Sequence, residues 1–202
     1  MGLLEFFKRN KKLKTETVKA KKPSPEQILF AETALELISP TVEKFGFKRH
    51  RTEIEEYSTT IIYRKDDQYI KLSGSTYPTD YPYSYNIILG EGDSEDFYDW
   101  DWDWNSIALW RLKSSIDKNA KASEFEFPNG NAVKYSLENA NSELLKYGQI
   151  FLVGDLNLFR EVRKDQNKDR EPYKIHTPDE HGKYKTTSET KNVEQKKKYS
   201  WE

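Results

Sequence analysis

The sequence contains no cysteine in 202 residues, which excludes disulfide frameworks, cysteine-ligated zinc and thiol catalysis. Histidine is almost as scarce, with only His50, His176 and His181. His50 stands in a run of basic residues, and the other two are five positions apart without a carboxylate motif between them. Neither arrangement has the spacing of a zinc site. We therefore predict no metal and no cofactor.

Long apolar runs are also missing. No stretch approaches the roughly 18 apolar residues that a membrane span needs, and the first residues lack an apolar region followed by a small-residue cleavage site. The opening segment, residues 1–12, is apolar and then basic, but Phe6 breaks the myristoylation pattern, so we expect at most weak membrane contact. These features predict a cytoplasmic protein without a membrane partner.

Fingerprints of catalysis are absent as well. No Gly-x-Ser-x-Gly nucleophile motif occurs. Gly90 and Gly92 follow a predicted strand, but the acids that come next would repel a phosphate, and we interpret this pair of glycines as a turn. The sequence therefore favours a binding protein over an enzyme.

Charge is strongly segregated along the chain, although 33 basic and 34 acidic residues leave a formal net charge of only −1. Residues 1–22 carry +6 and residues 163–202 carry +3, which leaves −10 on the middle of the chain. Of the last 40 residues only 6 are apolar, too few to offset the conformational entropy lost on folding. We predict a basic N-terminal segment (1–22), a single acidic α+β domain (23–165) and a mostly disordered polar tail (166–202).

The acidic domain opens with a helix signal. Ser24 suits the N-cap, Pro25 the first helical position, and Gln27 completes a capping box. Apolar residues then recur every three or four positions as far as Phe45. Pro40 predicts a kink, or a division of the helix at residue 39.

The pattern then changes to strands. Three runs rich in tyrosine, isoleucine and threonine, at residues 57–64, 68–75 and 84–89, predict an antiparallel meander with a tight turn at 66–67. A helix capped by Asp103 or Asn105 and a helical region that begins at Ser136 and is interrupted by glycines follow. The predicted fold is α+β: an N-terminal helix, an antiparallel β-meander of three to four strands, and C-terminal helices packed on one face.

The most unusual stretch is residues 93–104, which we call the acid-aromatic segment because it holds six carboxylates and five aromatic rings. In an extended conformation the alternation of aspartate and tryptophan would place acids on one face and rings on the other. We predict that this segment binds a partner through the following residues: Asp93, Glu95, Asp96, Asp99, Trp100, Asp101, Trp102, Asp103 and Trp104. The alternative is that the tryptophans are core residues beside a solvated acidic edge.

Two other ligands for this region fit less well. Asp99, Asp101 and Asp103 match the first ligand positions of a calcium-binding EF-hand, but the required glycine and the final glutamate positions are both tryptophan. Nucleic acid is disfavoured because a net charge of −10 on the middle of the chain would repel the phosphate backbone. The partner predicted from charge is a basic protein.

Two short runs carry a family resemblance. Residues 37–51, LISPTVEKFGFKRHR, and residues 155–173, which contain the pattern R-x-x-x-N-x-x-R-E-P-Y from Arg163, resemble small uncharacterised bacterial α+β proteins. Some of those proteins are predicted to be immunity proteins of toxin systems. The resemblance implies an inhibitor that binds its partner, and it supplies no catalytic residue.

Together these observations predict a cytoplasmic protein-binding module of the immunity type, whose acidic aromatic face meets a basic partner. Two alternatives stay open. One is an enzyme or small-ligand binder with a carboxylate-lined site, for example Asp93, Glu95 and Asp99. The other is a nucleic-acid-mimicking inhibitor, which would need carboxylates spaced like phosphates.

Overall fold

The first helix begins where the sequence predicts. The computed structural model describes residues 22–93, 105–121, 123–168, 174–178 and 183–189. In α1 (Pro25–Leu37) the Ser24 hydroxyl accepts a hydrogen bond from the Gln27 amide at 3.2 Å. A second short helix, α2 (Ser39–Glu43), carries Pro40 in its first turn, where a missing amide proton costs no helical hydrogen bond. The predicted division at residue 39 is confirmed.

The predicted antiparallel meander is confirmed and extended. Strands β1 (Lys48–Ile54), β2 (Ser58–Lys65), β3 (Gln68–Ser75) and β4 (Ser84–Glu91) lie side by side in chain order, and β1 forms an edge among the described strands. The β2–β3 turn contains Asp66 at φ 51°, a conformation that aspartate tolerates better than most residues. Gly90 is part of β4, so its interpretation as a turn residue is wrong; the chain turns at Gly92, at φ 96°.

Two short strands complete the sheet, and both pair with β4. Strand β5 (Ser106–Ala108) pairs with the end of β4, while β6 (Phe125–Glu126) pairs with its beginning. Helix α3 (Leu109–Ile116) follows β5 directly and has Ala108 at its N-cap. The predicted cap Asn105 therefore lies too early, because residues 106–108 are taken up by pairing with β4.

Three helices follow in the C-terminal part of the domain: α4 (Val133–Tyr147), α5 (Gln149–Val153) and α6 (Asn157–Asn167). Gly154, in the left-handed conformation at φ 98°, ends α5. Ser136 lies inside α4 and does not cap it. Beyond α6, β7 (Lys174–Pro178) and β8 (Tyr184–Glu189) form a separate antiparallel pair. The domain boundaries proposed from composition stay predictions.

The hydrophobic core lies between one face of the sheet and the helices. Alternate residues of β2, β3 and β4 point into it and pack with Phe30 of α1, Leu137 and Leu144 of α4, and Phe159 of α6. The α+β fold class is thereby confirmed. On the opposite face of the sheet Ile62 and Tyr69 are also fully buried, outside this core cluster. Among the described helices, none is long and apolar enough to cross a membrane.

Candidate functional site

The structure describes only the first residue of the predicted binding segment. Asp93 follows β4, and its carboxylate is fully exposed, 3.4 Å from the Arg64 guanidinium. The other eight predicted residues lie outside the described residues: Glu95, Asp96, Asp99, Trp100, Asp101, Trp102, Asp103 and Trp104. Whether those eight contact a partner stays a prediction.

Two further carboxylates lie at the point where the acid-aromatic segment begins. Asp66 and Asp67 form the β2–β3 turn, and the Gly92 amide donates a hydrogen bond to the Asp67 carbonyl at 2.7 Å. Because Asp66, Asp67 and Asp93 are all exposed at this end of the sheet, we call them the acidic corner. The sequence predicts a turn at Asp66 and Asp67 but does not predict that they belong to the site. The register of a meander, which brings the β2–β3 turn beside the end of β4, was the signal that could have revealed them.

Arg64 fixes the backbone of this corner. Its guanidinium donates a hydrogen bond to the Gly92 carbonyl at 2.7 Å and lies 5.9 Å from the centre of the Tyr69 ring. The Tyr69 ring in turn lies directly over Gly90 of the neighbouring strand, in space that any side chain at position 90 would need. The end of β4 is thus held by side chains on the face of the sheet opposite the helices.

On the helix face, Glu91 ties the same end of β4 to α6. Its carboxylate accepts hydrogen bonds from Arg160 at 2.5 Å and from Arg163 at 2.8 Å. Partial burial acts to raise the pKa of Glu91, but these hydrogen bonds and the two positive charges outweigh it, so the pKa lies below its ordinary value. The arrangement clamps α6 and does not offer a proton donor near neutral pH.

Replacing Glu91 tests this clamp. A lowered pKa in the folded protein means that the carboxylate stabilises the fold above the ordinary glutamate pKa of about 4.3, and that the effect fades as the pH falls through the lower folded-state value. We expect Glu91→Gln to lower the free energy of unfolding by about 1–2 kcal/mol at pH 7, and the difference from the wild type to shrink below about pH 4.

Urea unfolding between pH 3 and pH 7 measures this difference. Glu161→Gln is the matched control, because Glu161 is an exposed acid on α6, the helix that Glu91 contacts. A Glu91→Gln deficit that stays constant across the pH range would contradict the clamp, since it would then not depend on the charge of the carboxylate.

A concave site lies at the other end of β4. The cleft has a volume of about 500 Å³ and is bounded by α3, by residues 123–129 and by α4; we call it the β6 cleft. Its walls hold three carboxylates, three aromatic rings and two lysines: Glu124, Glu126, Glu143, Phe125, Phe127, Tyr135, Lys113 and Lys121. No sequence motif marks it, because its residues come from three separate elements.

Most polar groups in the β6 cleft are already paired. The Lys113 ammonium lies 2.6 Å from Glu143, with both side chains largely buried, and the Ser84 hydroxyl donates to Glu124 at 2.7 Å. Beneath the cleft, the Tyr85 hydroxyl lies 2.7 Å from that of Ser136, and burial raises the pKa of Tyr85 to about 12. This tyrosine is therefore a structural group in its neutral form.

Neither metal chemistry nor similarity to a known protein assigns a function here. Within the described ranges no group of three or more histidine or acidic side chains is arranged to hold a metal ion. Comparison with known proteins found no match: no family model, no curated protein and no solved structure is significantly similar to this chain. The acidic corner and the β6 cleft are therefore the features of the described residues whose charge and geometry bear on function.

Proposed function

We propose that this chain is a protein-binding module of the immunity type, which recognises a basic protein through the acidic corner and the acid-aromatic segment that starts there. The observation that carries the proposal is the position of Asp93. It is the first residue of that segment, it is fully exposed, and the meander brings two more exposed carboxylates to the same end of the sheet.

The charge distribution supports a basic partner. Of the three carboxylates in the corner, only Asp93 has an arginine within salt-bridge distance among the described residues, and that contact is a long 3.4 Å. Residues 23–162 carry a net charge of −10, which attracts a cationic protein over about one Debye length, 8–10 Å at physiological salt. Charges of this kind mainly raise the rate of association, while aromatic residues supply most of the binding energy.

A triple variant of the corner tests the proposal. Asp66→Asn, Asp67→Asn and Asp93→Asn in the full chain remove three charges, and asparagine tolerates the left-handed conformation at position 66. We expect a basic partner captured from the native lysate by the wild type to associate about tenfold more slowly with the variant at low salt, and the difference to shrink at high salt. Stopped-flow measurements with the purified partner give these rates.

The matched control removes the same number of charges elsewhere. Glu32→Gln, Glu36→Gln and Glu138→Gln alter exposed positions on α1 and α4, away from the corner. Equal slowing by the corner variant and the control would show that only net charge matters, and would count against a defined site. Association that is independent of salt in all variants would exclude the electrostatic part of the proposal.

A further inference from the structure

The β6 cleft is separate from the acidic corner. Ser84 and Glu91 mark the two ends of β4, and eight residues of strand span about 23 Å from first to last. The cleft volume of about 500 Å³ falls in the range of small-molecule sites, roughly 300–1,000 Å³. The two sites are therefore far enough apart to bind different ligands.

One wall of the cleft is a preformed aromatic surface. Phe125 is stacked on the buried Tyr85 ring, with 5.0 Å between ring centres and an angle of 18°. Phe127 packs on Phe30 of α1 at 4.8 Å and is only 7% exposed. Because both rings are fixed by core residues, a ligand that contacts them pays little to order this wall.

Several exposed polar side chains of the lining, Lys121, Glu126 and Tyr135 among them, make no hydrogen bond or ion pair with another described residue. Tyr135 on α4 is 77% exposed, an unusual position for a large aromatic ring, and Glu126 is exposed on the edge strand β6. Neither side chain makes a hydrogen bond or ion pair with another described residue, in contrast to Lys113, Glu143 and Glu124, which are paired. A carboxylate and an aromatic ring are thus available to a ligand, together with the ammonium group of Lys121.

These features favour a cation. Three carboxylates against two lysines give the lining a net negative charge, and one of those lysines is already neutralised by Glu143. Aromatic faces attract cations, and a carboxylate strengthens this attraction by a charge-assisted hydrogen bond. An anionic ligand would meet repulsion from Glu126, with only the exposed Lys121 to offset it.

We propose that the β6 cleft binds a small organic amine in its ammonium form, with Glu126 accepting a hydrogen bond from the ammonium group and Tyr135 covering the alkyl chain. The same chemistry is carried by a lysine side chain of a protein. We assign the cleft to the free amine because concave sites of this volume enclose most of the surface of a small ligand.

A ligand series of equal length tests the charge preference. The full chain, labelled with ¹⁵N, is titrated with n-butylammonium, 1-butanol and butyrate at equal ionic strength, and amide shifts are followed by NMR. We expect n-butylammonium to bind most tightly and butyrate most weakly, with the largest shifts at residues 123–129 and 135–143. Butyrate binding as tightly as the amine, or amine-induced shifts centred on the acidic corner, would overturn the proposal.

Two single variants test the roles of Glu126 and Tyr135. Both side chains are exposed, so we expect the variants to fold like the wild type. Glu126→Gln and Tyr135→Ser should each weaken n-butylammonium binding about threefold to fivefold. Glu138→Gln, an exposed α4 position outside the cleft, should leave it unchanged. Unchanged affinity in both cleft variants would overturn the assignment. Tighter binding of the peptide acetyl-Gly-Lys-Gly-amide than of n-butylammonium would overturn the choice of a free amine.

Discussion

Phe30→Ala is expected to lower the free energy of unfolding by about 3–5 kcal/mol. Phe30 is fully buried between α1 and the sheet, and its ring centre lies 5.1 Å from that of Tyr85 and 4.8 Å from that of Phe127. Truncation therefore removes a large apolar contact from both rings and leaves a cavity where α1 meets β4. Urea unfolding followed by circular dichroism measures the loss.

The control for this variant is the preceding residue. Leu29 belongs to the same helix but is 42% exposed, so Leu29→Ala should cost less than about 1 kcal/mol. Similar losses from both variants would mean that α1 contributes through helix propensity and not through the buried contact. Phe30→Ala should also weaken n-butylammonium binding, because Phe127 loses the ring that supports it.

Gly90→Ala is expected to cost about 3 kcal/mol, an unusually large effect for one added methyl group. A Cβ at position 90 would lie 1.9 Å from Cζ of the Tyr69 ring. The ring cannot move aside easily, since Tyr69 is fully buried and Arg64 lies against it. Thermal unfolding of the variant measures the effect.

A double-mutant cycle with Tyr69→Ala separates the clash from a general intolerance of β4. Once the ring is removed, Gly90→Ala should cost less than about 1 kcal/mol, which gives a coupling energy of about 2 kcal/mol or more. Additive losses from positions 69 and 90 would show that the two residues do not compete for the same space.

Local signals explain which parts of the fold could be predicted. The capping residue Ser24 and the division before Pro40 depend on neighbouring residues only, and the β2–β3 turn follows from two consecutive aspartates between apolar runs. The short strands β5 and β6 were missed because three and two residues carry no periodicity. Their pairing with β4 is decided by tertiary contacts.

The candidate sites were harder to predict for the same reason. Asp93 was selected from composition, but Asp66 and Asp67 join it only through the register of the sheet. The β6 cleft combines Lys113, Glu126 and Tyr135 from three elements, so no sequence window contains it. Gly-Glu-Gly followed by acidic residues suggests a turn at Gly90. The structure instead places Gly90 in β4, where the Tyr69 ring of the neighbouring strand occupies the space that a side chain would need.

The position of β1 at the sheet edge has a consequence for self-association. A strand added there would approach to about 4.8 Å, close to the exposed side chains of Lys48 and Arg49, and it would have to follow the irregularity between Arg49 and Arg51. Charge and a broken ladder both disfavour continuation of a sheet. The basic residues and the irregularity of β1 thus protect the folded protein against edge-to-edge aggregation.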